Sequence, residues 1–214
     1  MNIPCKFRPV GNGGLPPGYT RLDFLEATGE QYLITDLLAT GSMKFELEFL
    51  ATDMGGLAPV YGVHEENAHS SLYYNYSNAY GHVGRFVYGN TYYYPYFDSG
   101  SFQLNKKYHM LVDGPHVWRN GEKLQRYRLV SGEFQGVPAE ESFVSTLPVA
   151  LFATNGALAR RTGIKRIYNF RASDKGELKL NLIPALDPTG APCMFDTVTR
   201  KPFYNAGSGE FLYA

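Results

Sequence analysis

The chain of 214 residues lacks the features that mark several large classes of protein. Its formal net charge is zero, with 20 basic and 20 acidic side chains, which argues against a protein that tracks nucleic-acid phosphates. It has no apolar run long enough to cross a bilayer, and its first residues, MNIPCKFRPVGNGG, lack the apolar stretch of a signal peptide. These absences predict a globular protein that is made in the cytoplasm without a signal peptide, binds no nucleic acid and does not insert into membranes.

Cysteine and clustered metal ligands are also scarce. Cys5 and Cys193 are too few for a disulfide framework or a cysteine zinc site, so they form either two free thiols or one bridge, if the chain ends lie side by side. VHEENAH, residues 63 to 69, is interpreted as a solvated loop with at most weak affinity for a cation. No aspartate-rich calcium loop is present, and only Asp53 and Asp113 are distant candidates, so no cofactor is predicted.

Strand patterns fill most of the chain. MKFELEFLA, residues 43 to 51, alternates apolar with charged side chains, which is typical of a strand with one buried face. Further strands are indicated by YHMLVDG, LPVALFATN, IKRIYNFRA and ELKLNLIP. Of these, LPVALFATN is apolar on both faces and is predicted to be a central strand. Asn120-Gly121 between strand-like flanks predicts a tight hairpin. The sequence therefore predicts an all-β protein, a jelly-roll β-sandwich of two antiparallel sheets.

The beginning of the chain has a different composition from the rest. Residues 1–18 are rich in glycine and proline and end in GNGGLPPG, which predicts an N-terminal linker or arm. No internal repeat and no second linker follow. We therefore expect one β-sandwich domain over residues 19–214.

Both ends of the chain carry motifs that resemble one family. The N-terminal segment LPPGYTRLDFLEATGEQYLITDL supplies Leu15, Pro16, Gly18, Tyr19, Leu22, Phe24, Glu26, Thr28, Gly29, Gln31 and Tyr32. The C-terminal segment LIPALDPTGAPCMFDTVTRKPFYNAGSGEFLYA supplies Pro184, Asp187, Gly190, Asp196, Phe203, Tyr204, Asn205, Gly207, Gly209 and Phe211. These residues resemble a family of gut bacterial and prophage proteins with a laminin-G-like or concanavalin-A-like jelly roll.

The resemblance has consequences for both fold and function. In that fold the first and last strands lie near each other, so the two terminal motifs are expected to meet. The resemblance also implies a carbohydrate-binding or virion-associated module, on a virion or an extracellular surface. It supplies no set of ligand-binding residues.

A tyrosine-rich stretch is the candidate ligand-binding segment. SLYYNYSNAYGHVGRFVYGNTYYYPYF, residues 71 to 97, holds nine of the seventeen tyrosines. Flat rings mixed with amides and hydroxyls suit sugar recognition, because a ring packs on the C–H face of a sugar while amides and phenols meet its hydroxyls. We expect these residues to lie on loops or sheet edges, although tyrosine is also common inside strands. The candidate ligand-binding residues are Tyr73, Tyr74, Asn75, Tyr76, Asn78, Tyr80, Tyr92, Tyr93, Tyr94 and Tyr96.

Catalysis has little support in the sequence. Glu46 and Glu48 share a strand face, as the carboxylates of jelly-roll glycosidases do, but Ala51 stands where a third acid would be expected. No nucleophile elbow or phosphate loop is present. An exposed, solvated sheet face is the simpler interpretation of the two glutamates.

These observations favour a non-catalytic binding module that contacts a glycan or a host-surface receptor through an exposed aromatic patch. Each contact would be weak, so a homo-oligomer would supply avidity. The alternative is a structural virion protein, associated with a tail or capsid, whose tyrosine-rich region packs against other virion or surface proteins. A glycoside hydrolase is the least favoured alternative.

Overall fold

The computed structural model describes residues 14–53, 58–78, 81–96, 102–124, 126–128, 133–137, 139–156 and 165–214. Within these ranges the chain forms no helix, and so none that is long and apolar enough to cross a membrane. Its strands form two sheets that pack against each other, antiparallel except for one short parallel pair. The predicted all-β fold is confirmed: it is a β-sandwich of two sheets, consistent with a jelly roll.

The strands are short and closely spaced, as expected for this class of fold. In chain order they are β1 (Thr20–Arg21), β2 (Leu25–Ala27), β3 (Leu33–Thr40), β4 (Met43–Ala51), β5 (Ala58–His64), β6 (His69–Asn78), β7 (Gly81–Gly89), β8 (Thr91–Tyr96), β9 (Lys107–Asp113), β10 (His116–Arg119), β11 (Glu122–Lys123), β12 (Arg126–Arg128), β13 (Phe134–Gln135), β14 (Val144–Leu151), β15 (Asn155–Gly156), β16 (Lys165–Asp174), β17 (Glu177–Leu186), β18 (Pro192–Asp196), β19 (Pro202–Phe203) and β20 (Leu212–Tyr213).

Each sheet has a simple order along its main path. The first sheet runs β11-β10-β9-β4-β16-β17-β18-β19, with β1, β2 and β20 added beside β16 and β17. The second sheet runs β13-β12-β8-β7-β6-β5-β14-β3, with β15 beside β5. β14 therefore lies between β5 and β3, which confirms the central position predicted from its doubly apolar sequence.

β4 shows how the sequence forms a one-sided strand. Met43, Phe45, Leu47, Phe49 and Ala51 are buried, and every residue between them is partly exposed. Side chains alternate across a strand, so this pattern places all the apolar groups on the face that meets the second sheet. Each buried leucine or phenylalanine contributes roughly 1.5 to 3 kcal/mol of transfer free energy, which fixes the register of the strand.

The predicted hairpin at Asn120-Gly121 is confirmed. β10 and β11 pair with Arg119 opposite Glu122, leaving two residues in the turn. Asn120 and Gly121 have φ values of 52° and 83°, the left-handed values that a two-residue hairpin turn requires. The turn also places Asn120 so that its Oδ1 accepts a hydrogen bond from the backbone N–H of His109, at 2.9 Å.

Aromatic contacts join the two sheets at the centre of the core. Tyr61 of β5 lies 4.8 Å from Phe45 of β4 and 5.4 Å from Phe170 of β16, measured between ring centroids. Phe45 and Phe170 are 5.8 Å apart. All three side chains are almost completely buried. Such pairs contribute about 0.5 to 1.5 kcal/mol each beyond the area they bury.

The two chain ends complete the first sheet, as the resemblance implied. β16 pairs with β17 only from Phe170 onward, and its first three residues pair with β2. β1 pairs with the last residues of β17, and β20 pairs with β2. The N–H of Tyr32 donates to Oδ1 of Asn205 at 3.2 Å, and the N–H of Ala206 donates to the carbonyl of Tyr32 at 2.9 Å. The expectation that the terminal motifs meet is confirmed.

A glycine in the closing motif has a clear steric reason. A Cβ atom at Gly207 would lie 1.9 Å from the carbonyl oxygen of Glu30, so no other residue fits without moving the backbone.

Two aspartates of the closing motif, Asp187 and Asp196, accept hydrogen bonds that hold turns. Asp196 accepts backbone hydrogen bonds from Asn181, Val198 and Thr199. Hydrogen bonds from Thr189 and Tyr204 lower the pKa of Asp187 to about 2.

A small second core lies on the outer side of the first sheet. It consists of Ile183, Ala185, Cys193 and Phe195, and Leu15 and Tyr19 of the N-terminal segment pack against it. Residues 14–18 of the predicted arm therefore lie on the domain, whereas residues 1–13 are outside the described part of the chain. Cys193 is a free, buried thiol, and burial raises its pKa to about 12. Cys5 falls outside the described residues.

Lys165, the first residue of β16, is an unusual member of the core. It is fully buried, and its ammonium donates to the carbonyl of Phe152 at 3.0 Å. The Nζ atom also lies 5.7 Å from the centroid of the Phe152 ring and 5.8 Å from that of Tyr74. Burial lowers the pKa of this amine well below its ordinary value of 10.5.

We expect Lys165→Met to stabilise the protein. Because the unfolded chain binds a proton that the buried amine resists, the wild-type free energy of unfolding should rise as the pH is raised toward 10.5. Removing the amine sacrifices its hydrogen bond to the carbonyl of Phe152, worth about 1 kcal/mol, but also removes a larger desolvation cost. The net gain at pH 7 should be roughly 1 to 3 kcal/mol, with a smaller pH dependence between pH 7 and 10.

Urea denaturation at several pH values measures this effect. The matched control is Lys179→Met, a partly exposed lysine that pairs with Glu177, and it should change stability by less than about 0.5 kcal/mol. A clear loss of stability in Lys165→Met at pH 7, or an unchanged pH dependence, would contradict the assigned cost of burying this amine.

Candidate functional site

The structure corrects the placement expected for the first two tyrosine candidates. Tyr73 and Tyr74 are each 1% exposed. Tyr74 faces the core, where its ring lies 5.8 Å from Phe49 and its hydroxyl donates to the carbonyl of Asp53 at 2.8 Å. Tyr73 points to the other side of β6, with the guanidinium of Arg85 5.3 Å from its ring centroid. The prediction of exposed rings is wrong for these two residues, because both faces of the sheet are buried here.

The other candidates are placed at the level of the backbone. Residues 73–78 belong to β6, which pairs with β5 and β7 rather than forming an edge. Residues 91–96 belong to β8, which pairs with β7 through its first half and with β12 through its second half. The expected loop position is therefore wrong for both segments, and the expected edge position is wrong for β6. Ligand binding by Asn75, Tyr76, Asn78, Tyr92, Tyr93, Tyr94 and Tyr96 stays a prediction, and Tyr80 lies outside the described residues.

The histidines at the ends of β5 and β6 are also placed differently from the prediction. His64 and His69 are buried, and their ring centroids are 4.1 Å apart with the rings nearly perpendicular. Burial, followed by the nearby charge of Arg85, lowers the pKa of His69. The interpretation as a solvated loop is wrong for these two residues and for Val63 and Ala68, which are also buried. Only Glu66 and Asn67 of this segment are exposed.

The first sheet presents an open surface over several of its strands, in contrast to β5 of the second sheet, which is buried on both faces. Along β4, β9, β10 and β16 the residues that alternate with the core are at least partly exposed for most of their length. We call this surface the polar face. Its residues are Lys44, Glu46, Glu48, Lys107, His109, Leu111, Asp113, His116, Trp118, Arg166, Arg171 and Ser173.

Strand pairing arranges the polar face in rows across the sheet. One row runs from Trp118 through Leu111 and Glu46 to Arg171, each directly opposite the next. Adjacent strands lie about 4.8 Å apart, so this row spans about 14 Å. A ligand that contacted both Trp118 and Arg171 would therefore have to be about 14 Å long.

Opposite charges face each other across these strands. The closest pairs on this side of the sheet are Arg166 with Glu26 at 2.7 Å and Lys107 with Glu48 at 2.8 Å. Cross-strand pairs of this kind contribute a few tenths to about 1 kcal/mol each and hold long side chains in fixed positions. The polar face is therefore an ordered array of hydrogen-bond donors and acceptors on a rigid sheet.

Aromatic rings lie at two places on this side of the sheet. Trp118 is partly exposed, with the ammonium of Lys123 5.0 Å from its ring centroid. Tyr168, at a bulge in β16, packs against Phe24 with ring centroids 5.8 Å apart, and the ammonium of Lys107 lies 4.0 Å from the Tyr168 ring centroid. These rings offer flat apolar surface beside charged groups.

A polar groove opens at one end of the polar face. Its volume is about 460 Å³, within the usual range for ligand pockets. The charged and hydroxyl side chains that line it are Ser42, Lys44, Glu46, Asp113, Arg171, Ser173 and Lys175. Because it shares Glu46 and Arg171 with the row that begins at Trp118, the groove and the aromatic ring belong to one continuous surface.

Glu46 has an environment that keeps its carboxylate ionised. A hydrogen bond with Nε2 of His109, at 3.0 Å, is the main cause that lowers its pKa, and the charges of His109, Arg171 and Lys44 add to the effect. A general acid needs a raised pKa. Glu48 is likewise engaged, by Asn169 at 3.1 Å and by Lys107. Both carboxylates therefore serve as hydrogen-bond acceptors on the polar face.

Metal ligands and sequence relatives give no further direction. Among the described residues no group of three or more histidine, cysteine, aspartate or glutamate side chains is arranged to hold a metal ion. Asp113 pairs with Lys44, and the carbonyl of Asp53 accepts a hydrogen bond from the hydroxyl of Tyr74.

No protein-family model matches the chain, and no curated protein is significantly similar to it. The residues of the polar face are therefore the basis for assigning a function.

Trp118 is the candidate residue that the sequence interpretation missed. It is the single tryptophan of the chain and lies in HVWR, where Val117 and Arg119 are the buried residues. Arginine is usually exposed and tryptophan usually buried, so this arrangement reverses the common pattern. Arg119 is accommodated because its guanidinium packs 5.3 Å from the Phe102 ring centroid. Strict alternation from Val112 and Val117 would have placed Trp118 outside.

We expect Glu46→Gln to lower stability at neutral pH but not in acid. The lowered pKa means that Glu46 stabilises the fold above its ordinary pKa of 4.5 and that this contribution is lost as the pH falls through the lower, folded-state value. The loss at pH 7 should be about 1 kcal/mol. Urea denaturation at pH 7 and pH 3 measures it, with the exposed Glu177→Gln as a control. Equal losses at both pH values would contradict the role of the charge.

Proposed function

We propose that this chain is a non-catalytic glycan-binding module on a virion or bacterial surface. The observation that carries the proposal is the row on the polar face in which a partly exposed tryptophan is aligned with Glu46 and Arg171. A sugar packs its C–H face on the ring, and its hydroxyls exchange hydrogen bonds with the charged side chains beside it. The motifs at the chain ends, which resemble those of gut bacterial and prophage proteins, support the surface location.

Single-site binding on such an open face would be weak. When a ligand binds to a polar face, each hydrogen bond to the ligand replaces one to water, so each contact adds little to the binding free energy. Several copies of the module, presented together in an oligomer, would raise the overall affinity by avidity. The partner is then a glycan or a glycosylated receptor on a host surface, and the tyrosines of β6 and β8 stay candidates for a second contact.

The decisive variant is Trp118→Ala. A glycan array with the wild-type protein first identifies a ligand, and calorimetry then compares the variants on it. Loss of a tryptophan anchor should cost about 2 kcal/mol, or roughly thirty-fold in Kd. Tyr213→Ala, which removes a ring that is 46% exposed on another part of the surface, is the matched control and should bind normally.

Two results would count against the proposal. Binding to no glycan on the array would remove the function itself. Unchanged binding by Trp118→Ala, with loss of binding by Tyr93→Ala, would move the site from the polar face to β8. Circular dichroism of each variant checks that the fold is intact.

A second candidate function, structural packing in a virion, is favoured by one surface feature. Leu38 on β3 and Val144 and Leu147 on β14 are exposed hydrophobic residues on neighbouring strands, at 42%, 64% and 36%. Exposed apolar residues grouped in this way are typical of contact with another protein chain. We call this group the apolar patch.

Val144→Asp tests whether the apolar patch holds copies of the chain together. If the protein self-associates through the patch, a buried aspartate at that contact should shift the molar mass from light scattering toward the monomer. Val198→Asp, which alters another exposed valine, is the control and should leave the mass unchanged. A wild-type protein that is monomeric at high concentration, or an oligomer that both variants retain, would exclude the patch as a self-association site.

A further inference from the structure

The groove at the end of the polar face is lined by more positive than negative side chains. Lys44, Arg171 and Lys175 supply three positive charges to its walls, and Glu46 and Asp113 supply two negative charges. The lining therefore carries an excess of one positive charge. The carboxylate of Asp174 lies next to this lining, where it accepts a hydrogen bond from Ser42 at 2.7 Å.

The two lysines of the groove, Lys44 and Lys175, are held loosely by the neighbouring acids. Nζ of Lys44 lies 3.6 Å from the carboxylate of Asp113, beyond hydrogen-bond distance, and both side chains are almost half exposed. Lys175 is exposed in the turn between β16 and β17, and no ion pair joins it to an acid within the described residues. Exposed pairs at such distances contribute little, so a ligand anion can compete for these ammonium groups.

The walls also fix what else the ligand must contain. Glu46 is held ionised. Asp113, Lys44 and Ser173 form one row across three strands, with Lys44 in the middle. Carboxylates accept hydrogen bonds but cannot donate them. A ligand for this groove must therefore bring hydroxyl donors as well as a negative charge, which is the chemistry of an acidic sugar.

We infer that the groove binds the carboxylate of a uronic-acid-type sugar within a glycan, with Lys44 and Lys175 contacting the carboxylate and Glu46 and Asp113 accepting sugar hydroxyls. The single excess charge favours a singly charged carboxylate over a phosphate, which carries about −1.5 to −2 at neutral pH. The planar guanidinium of Arg171 also matches the geometry of a carboxylate. This inference rests on the proposed function and names the class of glycan that the polar face would select.

The test compares acidic trisaccharides with their own methyl esters. Trimers of galacturonate, glucuronate and mannuronate are titrated by calorimetry against the intact chain in 50 mM salt, each beside its neutral methyl ester. At least one acid should bind ten-fold or more tightly than its ester. The difference should shrink in 0.5 M salt, because screening weakens contacts between exposed charges.

The double variant Lys44→Gln and Lys175→Gln should lower the affinity for the acid by ten-fold or more and should lower the affinity for the uncharged ester much less. Lys106→Gln with Lys201→Gln removes the same charge from residues outside the groove lining and should have no such effect. An equal loss in this control would show that overall charge, rather than the groove, attracts the ligand and would overturn the inference.

The remaining outcomes separate this inference from the proposed function. Acid and ester bound equally well would overturn the inference while the glycan-binding function stands. A sulfated neutral trisaccharide bound as tightly as the acid would overturn the assignment of a carboxylate. If no trisaccharide binds and the glycan array is also blank, both the inference and the proposed function fail.

Discussion

The packing of two one-sided sheets through a shared aromatic centre is the constraint on which the rest of this structure depends. Tyr61 of the second sheet lies between Phe45 and Phe170 of the first, and each of these strands continues the contact with further buried residues. A strand that commits one face to this interior has its other face fixed as well, because alternate side chains point in opposite directions. The burial of Phe45 therefore determines that Glu46 faces outward.

The two sheets differ in what they do with their outer sides, and this difference locates the candidate site. β5 and the described side chains of β6 and β7 are buried on both faces, so polar groups such as His69 and Arg85 are enclosed there. The first sheet keeps its outer side open over β4, β9 and β10, while Leu15 and Tyr19 cover the part over β17 and β18. A ligand from solvent meets charged rows and Trp118 only on the open part.

The ion pairs of the polar face also determine the ionisation state of its carboxylates. Glu46 is surrounded by His109, Arg171 and Lys44, which stabilise its ionised form. A surface built from such pairs offers charged acceptors and donors side by side, which is what the proposed recognition of a glycan requires. Recognition of an acidic sugar would use the groove's excess cations, and the nearby tryptophan would supply the apolar contact.

Local pattern was enough to predict the class of fold and several of its strands. The alternation in residues 43–51 and the Asn120-Gly121 turn depend on neighbours along the chain, so they were readable without coordinates. The burial of Tyr73, Tyr74, His64 and His69 was not readable, because it depends on whether a sheet is covered on one face or on two. That property belongs to segments far apart in sequence, and only the tertiary structure decides it. The sequence by itself determined which residues share a strand face; the packing of the two sheets decided which of those faces meets solvent.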